Sequence, residues 1–246
     1  MDLIAMYKRM KKEESPLSCG AVIVAAGSAQ RMGFDKLTVN LDGKPVLVRS
    51  IQAFEDSPLI CEIVVVTRSD RLGEIAELCS EYGFRKISSV VCGGKTRTES
   101  AFAGVMALKQ DPRLIAVHDG ARPLVSQELI ERCVMKASVQ YAAVPVTPST
   151  DTLRAVDKKG VLVGTYDRDS IVRIQTPQVF QTEILKGALS SAVEKGLSFT
   201  DDAAAVERMG LTLQSVEGDE DNIKLTVPAD LTMAEGILQR RKETNL

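Results

Sequence analysis

Apolar and amphipathic segments alternate along the first 146 residues of the chain. Short runs rich in β-branched residues predict buried strands at residues 21–25, 62–67, 88–92, 114–118 and 141–146. The segments between these runs have apolar residues at helical spacing, and they predict helices at residues 46–56, 70–82, 96–109 and 127–138. Because strands and helices that alternate in this way form βαβ units, the pattern predicts an α/β fold with a mostly parallel sheet and helices on both faces.

The pattern changes after residue 146, where the chain becomes more polar. Two alternating segments at 152–156 and 161–166 are joined by a turn from Asp157 to Gly160, which is typical of a β-hairpin. An isolated hairpin is only marginally stable in water, so it needs a surface to lie against. We therefore interpret residues 148–173 as a protruding arm that packs on a second subunit of a homodimer, rather than as a surface decoration.

Regular patterns resume after the arm and continue to the C-terminal region. They predict helices at 182–195, 201–209 and 228–242 and strands at 211–216 and 222–226. No stretch has the composition of a linker, so residues 19–246 are expected to form one Rossmann-like domain that includes the arm. Residues 1–18 are interpreted as an N-terminal extension, because the charges from Lys8 to Lys12 interrupt the apolar core that a signal peptide would need.

The amino-acid composition argues against several classes of function. The 31 basic residues nearly balance the 33 acidic residues, so no overall charge attracts nucleic acid or an anionic membrane, and no apolar run is long enough to span a bilayer. The five cysteines are odd in number, lie mostly in apolar runs and form no CxxC pair. They are expected to be core thiols in a reducing compartment, which predicts the cytoplasm and argues against structural zinc.

The stretch from residue 21 to residue 36 predicts an anion site. A buried strand is followed by three very small residues and two cations, namely Ala25, Ala26, Gly27, Arg31 and Lys36. Small residues at the carboxyl end of a first strand let backbone N–H groups approach a ligand, and the cations beyond them favour an anionic one. The alternative is an ordinary turn with solvated charges.

Two well-known phosphate loops do not fit this stretch. A P-loop requires a lysine and then a serine or threonine after its second glycine, whereas Phe34 follows Gly33 here. The dinucleotide fingerprint GxGxxG fails because residue 29 is alanine. The remaining pattern, a small-residue turn with an arginine and a lysine, resembles the signature loop of nucleotidyltransferases that load sugars and polyols onto a nucleoside triphosphate.

Two later strand ends also carry candidate chemistry. Gly93 and Gly94 follow a predicted strand and open a helix, whose N-terminus is expected to offer free N–H groups to a base or a phosphate. Asp119 follows another strand and supplies a carboxylate for Mg²⁺ bound to a triphosphate. His118, the only histidine, is interpreted as a packed residue without a chemical role, so neither a Ser/His/Asp hydrolase nor a histidine metal site is supported.

Several motifs, in this order and at these separations, connect the chain to a known family. They are AAGSAQRMGFDK, VVCGGKTRTES, HDGARP, the hairpin, IQTPQVF, SFTDDA and DNIKLT. Together they resemble the 2-C-methyl-D-erythritol 4-phosphate cytidylyltransferases of the non-mevalonate isoprenoid pathway, from about Cys19 to the C-terminal helix. The resemblance implies a Mg²⁺-dependent enzyme that transfers CMP from CTP to 2-C-methyl-D-erythritol 4-phosphate, giving 4-diphosphocytidyl-2-C-methyl-D-erythritol and pyrophosphate.

The resemblance also implies roles for individual residues. The residues expected to hold CTP are Ala25, Ala26, Gly27, Gly93, Gly94, Lys95 and Ser100, with Arg31 and Lys36 on its phosphates. Asp119 would face Mg²⁺, and Arg122 would fix that loop. The residues expected to line the polyol-phosphate site are Thr176, Thr200 and Lys224, completed by Thr152 and Arg168 of the arm of the partner subunit. Two departures from the family pattern, Ala29 for glycine and Leu37 for glutamine, affect the fine geometry of the loop.

The expected chemistry needs few protein groups. A phosphate monoester is already a nucleophile, so attack on the α-phosphorus of CTP requires only alignment and neutralisation of negative charge, for which Arg31, Lys36, Lys224 and Mg²⁺ are the candidates. A ribitol 5-phosphate cytidylyltransferase is an alternative, because its fold and loop are similar. A nucleotide-binding module without turnover is a second alternative, although the intact cations and Asp119 argue against it.

Overall fold

The computed structural model describes residues 17–27 and 35–244 of the chain. Residues 1–16, which make up most of the predicted N-terminal extension, and residues 28–34, which include Arg31, lie outside the described residues. Within the described part, no helix is long and apolar enough to cross a membrane.

The parallel half of the main sheet is built around β1 (Cys19–Val24). After a short hairpin of β2 (Asn40–Leu41) and β3 (Lys44–Pro45), the chain continues to the strands that flank β1. These are β4 (Ile60–Thr67) and β6 (Leu114–Asp119), both parallel to β1, and β5 (Ile87–Cys92) extends the sheet beyond β4. The predicted parallel sheet is confirmed in this half. Helices cover both faces, so β1, β4 and β6 are largely buried, whereas β5 at the edge is only partly buried.

The other half of the sheet contains antiparallel strands. β7 (Ala142–Pro148) is antiparallel to β10 (Val172–Ile174) and β11 (Gln178–Gln181), while β12 (Ser215–Glu217) lies parallel to it. β11 also pairs antiparallel with β6, so it joins the two halves. The sequence prediction missed β10 and β11, because strands of three and four residues form only when a distant partner supplies the hydrogen bonds.

The helices lie on both faces of the sheet, as predicted. They are α1 (Val46–Glu55), α2 (Leu72–Glu81), α3 (Arg97–Met106), α4 (Gln127–Gln140), α5 (Thr182–Glu194), α6 (Asp202–Glu207) and α7 (Pro228–Thr244). Successive residues of β1 point to opposite faces, so Ala21 and Ile23 pack with α1, α2 and α4, whereas Val22 packs with α3, α5 and α6. α7 contributes to a smaller cluster with Leu41 and Leu225.

The arm is the predicted hairpin. β8 (Arg154–Val156) and β9 (Leu162–Thr165) are antiparallel, and Gly160 in the connecting turn has a φ of +84° that favours glycine. The arm exposes large apolar side chains, including Leu162 and Val163, which are 57% and 61% exposed. Such exposure is expected of a surface that is covered by a partner.

Two predicted strands are wrong in whole or in part. Residues 222–226 form no strand, because their backbone groups bond to loops instead: the carbonyl oxygen of Asn222 accepts from Arg122, and the Leu225 N–H donates to the carbonyl oxygen of Ala121. The strand predicted at 211–216 is confined to β12, whose end lies beyond the predicted one. Both segments have alternating apolar residues. Only β12 lies beside another strand, β7, with which it can form backbone hydrogen bonds.

The cysteines are free thiols, but not all of them belong to the core. Cys19, Cys79 and Cys133 are buried, as predicted. Cys61 is half-buried, and Cys92 is exposed at the end of β5. The interpretation as core thiols is therefore wrong for Cys92, because β5 is the last strand of the sheet on its side and its final residue is open to solvent.

His118 is fully buried at the end of β6, 4.9 Å from the ring of Phe54 between centroids. Its Nε2 lies 3.1 Å from the carbonyl oxygen of Arg122, which can only accept, so Nε2 carries the hydrogen and Nδ1 accepts from the Thr176 hydroxyl at 3.0 Å. Burial lowers the pKa of His118 to about 4, so the ring is neutral at pH 7. This agrees with a packed residue that takes no part in acid–base chemistry.

His118 is expected to make folding stability depend on pH. The unfolded chain, with a histidine pKa of 6.5, binds a proton that the folded chain excludes down to about pH 4. The free energy of unfolding should therefore fall as the pH decreases through this window, by about 2 kcal/mol between pH 7 and pH 5. Urea denaturation at several pH values measures the slope. His118→Gln, which cannot titrate, should remove most of it, and a flat wild-type profile would contradict the expectation.

Candidate active site

The carboxyl ends of the parallel strands meet at one edge of the sheet, and hydrogen bonds join the loops that follow them. Val24 at the end of β1 lies opposite Val66 of β4 and Asp119 of β6. The N–H groups of Ala25 and Gly120 donate to the carbonyl oxygens of Val66 and Val24, at 2.7 and 2.9 Å. The loops predicted to bind the nucleotide and the metal therefore begin side by side.

Small residues hold the loops after β1 and β5 in contact. The N–H group of Gly93 donates to the carbonyl oxygen of Thr67 at 2.7 Å. A Cβ atom on Gly93 would lie 2.6 Å from Oγ of Ser100 and 2.8 Å from Cβ of Ala26, which is closer than packed atoms approach. The position thus requires glycine, and the fold brings together three residues that were predicted to bind the nucleotide.

A capping box closes the N-terminus of α3, so the expectation of free N–H groups is wrong for three of them. Oγ1 of Thr96 accepts from the N–H group of Glu99 at 3.1 Å, and Oε2 of Glu99 accepts from the N–H groups of Lys95 and Thr96 at 2.5 and 3.3 Å. The spacing T-x-x-E was a usable signal for this motif. Gly27, Gly94 and the Lys95 side chain are exposed at this edge.

The buried carboxylate of Asp119 lies among three cationic side chains. Nζ of Lys224 donates to its Oδ2 at 2.7 Å, while Nη2 of Arg97 lies 3.8 Å from Oδ1 and Nε of Arg122 lies 3.8 Å from Oδ2. Burial by itself would raise the pKa of Asp119, but the nearby positive charges outweigh it and lower the pKa to about 2. Asp119 is therefore ionised at neutral pH.

Lys36 and Lys224 come from distant parts of the chain and reach the same edge. Nζ of Lys36 donates to the carbonyl oxygen of Leu225, the residue after Lys224, at 2.9 Å. The N–H group of Leu225 donates to the carbonyl oxygen of Ala121 at 2.9 Å, which ties this segment to the loop that carries Asp119. Lys36 and Lys224 were both predicted to be catalytic cations. These contacts tie their segments to each other and to the loop of Asp119, the predicted metal ligand.

Arg122 fixes the loop around Asp119, as the resemblance implied. Its Nη1 donates to the carbonyl oxygen of Asn222 at 2.7 Å, and its Nη2 donates to that of Ile174 at 3.2 Å. Nδ2 of Asn222 donates in turn to the carbonyl oxygen of Thr176 at 2.8 Å. Arg122 therefore links its own loop to the segment of Asn222 and to the end of β10.

The residues predicted for the polyol-phosphate site are only partly brought together. The Thr176 hydroxyl accepts from the N–H group of Asp119 at 3.1 Å and so orients the loop that carries Asp119. Thr200 is exposed between α5 and α6, and Thr152 and Arg168 are exposed in the arm region. Among the described residues, no hydrogen bond or ion pair joins these three to Asp119 or to the residues bonded to it.

Sequence reasoning missed a buried ion pair beside Asp119. Nη2 of Arg97, at the start of α3, donates to Oδ2 of Asp202, at the start of α6, at 2.7 Å, and Asp202 is 1% exposed. Oε1 of Gln178 accepts from the Asp202 N–H group at 3.1 Å. The pair joins the loop predicted to bind the nucleotide to the segment that contains Thr200. Both charges lie in the motifs GGKTRTES and SFTDDA, but their spacing in the sequence does not reveal that they meet.

The donor set fits a Mg²⁺ ion that arrives with a nucleotide. The described residues contain no group of three or more His, Cys, Asp or Glu side chains that could hold a metal by themselves. Asp119 offers one ionised carboxylate, and Mg²⁺ is commonly bound by one or two carboxylates together with substrate phosphates and water. The site therefore suits a metal whose remaining ligands come from a triphosphate.

Comparisons with known proteins agree with the geometry. The family model "IspD: 2-C-methyl-D-erythritol 4-phosphate cytidylyltransferase" matches residues 19–240. A relative of that name from Caldanaerobacter subterraneus is 39% identical over 231 residues, covering 91% of this chain and 100% of the relative. Another from Bacillus licheniformis is 40% identical over 223 residues, covering 90% and 96% of the two chains.

Solved structures resemble the whole fold. The 4-diphosphocytidyl-2C-methyl-D-erythritol synthase of Anaerococcus prevotii superposes with a TM-score of 0.79 at 29% identity, covering 90% of this chain and 98% of that one. The 2-C-methyl-D-erythritol 4-phosphate cytidylyltransferase of Thermus thermophilus gives a TM-score of 0.70 at 31% identity, covering 89% and 98%. The chain therefore belongs to the 2-C-methyl-D-erythritol 4-phosphate cytidylyltransferase family.

Proposed function

We propose that this chain transfers CMP from CTP to 2-C-methyl-D-erythritol 4-phosphate and releases pyrophosphate. Family membership supports the reaction. The observation that carries the proposal is that Lys36, Lys224 and Asp119 meet at the edge of the sheet where the small residues of the nucleotide loops lie. Both substrates are polyanions, and this edge supplies the positive charge that they require.

The substrate phosphate is itself the nucleophile. One of its oxygens attacks the α-phosphorus of CTP, and the new P–O bond forms as the bond to pyrophosphate breaks. No side chain has to remove a proton, which agrees with the neutral, buried state of His118. The protein contributes alignment and charge neutralisation, and Arg31, Lys36 and Lys224 are the proposed catalytic cations.

The loops after β1 and β5 are the proposed CTP site. Gly93 has no room for a side chain against Ala26 and Ser100, so the two loops lie in close contact. The full set of proposed nucleotide-binding residues is Ala25, Ala26, Gly27, Gly93, Gly94, Lys95 and Ser100. Backbone groups near Gly93 and Gly94 can pair with the cytosine amino group, which favours CTP over UTP.

Asp119 is the residue that would hold Mg²⁺. Its low pKa keeps the carboxylate ionised under all physiological conditions. Mg²⁺, when bound, would neutralise charge on the triphosphate. The chain's own contribution is the ion pair with Lys224 at 2.7 Å, which gives the ammonium group a defined position beside Asp119.

The arm is proposed to complete the polyol-phosphate site across a homodimer. Thr176 and Thr200 belong to the body of one subunit, while Thr152 and Arg168 would come from the partner subunit. The exposed apolar surface of the arm supports a covered position in the dimer. We expect this homodimer to work in the cytoplasm, since all five cysteines are free thiols.

Substrate assays test the reaction directly. We expect pyrophosphate release with CTP and 2-C-methyl-D-erythritol 4-phosphate, and much slower release when UTP replaces CTP. Faster release with ribitol 5-phosphate would identify the ribitol enzyme instead. If neither polyol phosphate yields pyrophosphate, the enzymatic proposal is wrong and the chain is a nucleotide-binding module.

Lys36→Met tests whether the ammonium group acts in catalysis. The variant keeps an apolar stem and loses the charge, so kcat should fall by a factor on the order of 10² to 10³, as when a preorganised electrostatic contact is removed. The lost hydrogen bond to Leu225 costs about 1 kcal/mol, so the melting temperature should fall by only about 2–4 °C. Lys195→Met, at an exposed position after α5, is the control. An unchanged kcat would remove Lys36 from the mechanism.

Complementation tests the shared site. Arg168→Ala and Lys36→Ala should each be inactive as homodimers, but a mixture should recover part of the activity, because one site of the heterodimer then has only intact residues. Lys36→Ala mixed with Lys224→Ala is the matched control and should stay inactive, since both residues belong to the same body. Subunit exchange is verified first by affinity tags. A fully active monomer would refute the shared site.

A further inference from the structure

The residue before Lys36 is held by three contacts. Oδ1 of Asp35 accepts from the N–H group of Leu37 at 3.1 Å, and Oδ2 accepts from the hydroxyl of Thr38 at 2.7 Å. The same Oδ2 forms an ion pair with Nη1 of Arg71. The Asp35 carboxylate thus fixes the residues that follow Lys36 and anchors them to the segment of Arg71.

Arg71 is itself held in a single orientation. It lies in the 3-10 turn Ser69–Arg71, between β4 and α2, and its side chain is 13% exposed. Its Nε and Nη2 donate to the two carboxylate oxygens of Glu74 at 2.9 and 2.6 Å, so Nη1 is directed at Asp35. The hydrogen bonds to Glu74, together with Asp35, raise the pKa of Arg71 and keep it charged.

The residue after Lys36 is held by packing. Leu37 is 4% exposed and belongs to the main core with Leu47. Its carbonyl oxygen accepts from the N–H group of Leu47 at 2.9 Å. Lys36 therefore extends from a backbone that is fixed by charge on one side and by the core on the other, and its Nζ reaches Leu225.

We infer that Asp35 and Arg71 are positioning residues for Lys36. They reduce the freedom of its backbone, so that the flexible side chain delivers its ammonium group to the same place in every cycle. This inference rests on the catalytic role proposed above for Lys36. Because small displacements of a reacting or stabilising group are costly in rate, loss of the Asp35–Arg71 pair lowers kcat although neither residue touches the substrate.

Asp35→Asn and Arg71→Gln test the inference. Each should lower kcat on the order of tenfold with little change in the KM for 2-C-methyl-D-erythritol 4-phosphate, and the melting temperature should fall by no more than about 2–4 °C. The matched control is Asp42→Asn, because Asp42 forms a similar ion pair with Arg49 at 3.0 Å. The side chains of Asp42 and Arg49 are 35% and 17% exposed, and those of Asp35 and Arg71 are 34% and 13% exposed. The control should have a similar effect on stability and none on kcat.

A double mutant separates positioning from a purely structural role. If Asp35 acts through Lys36, adding Asp35→Asn to Lys36→Met should leave the kcat of Lys36→Met unchanged. A further tenfold loss would mean that Asp35 acts elsewhere and would overturn the inference, as would normal kcat in both single variants. If Lys36→Met itself keeps full kcat, the role of Lys36 fails and the inference fails with it. Absence of turnover in the wild type would instead refute the reaction.

Discussion

The ionised carboxylate of Asp119 is the constraint on which the candidate active site depends. A carboxylate that is removed from water must be paired, because an isolated buried charge is very costly. Here Lys224 supplies the direct partner at 2.7 Å, and Arg97 and Arg122 add positive charge at 3.8 Å. These cations belong to separate segments of the chain. The segments therefore have to converge on one edge of the sheet, which is also the edge proposed to receive two polyanionic substrates.

Uncharged groups hold this arrangement in place. The Thr176 hydroxyl accepts from the Asp119 N–H group and donates to His118, which in turn donates to the carbonyl oxygen of Arg122. A protonated His118 would have no acceptor nitrogen for Thr176, so the neutral ring is required. Thr176 reaches this place because β11, which begins two residues later, pairs with β6. The antiparallel strands after the arm thus bring Thr176, one residue of the proposed polyol site, beside the proposed metal ligand.

Features that depend on neighbouring residues could be predicted from the sequence. Residue spacing within a few positions predicted the four parallel strands, the helices and the hairpin, because a strand buried on both faces and an amphipathic helix have different periods. Ser126, a residue type that favours helix N-caps, stands directly before α4, and its Oγ accepts from the N–H group of Leu129 at 3.2 Å. The small-residue loops and their cations were also visible as motifs, since a close backbone approach and an anionic ligand require particular residue types.

Features that depend on distant partners were decided only by the tertiary structure. Apolar alternation predicted a strand at 222–226, but loops on either side took its backbone hydrogen bonds. Arg97 and Asp202 are 105 positions apart, as are Asp119 and Lys224, and nothing in the local pattern indicates that they meet. The sequence by itself therefore determined most of the elements, the residue types in the loops and the family. The fold decided which charges are paired and that the Thr176 hydroxyl bonds to Asp119 and His118. The reason is that a hydrogen bond or ion pair depends on spatial distance rather than on separation along the chain.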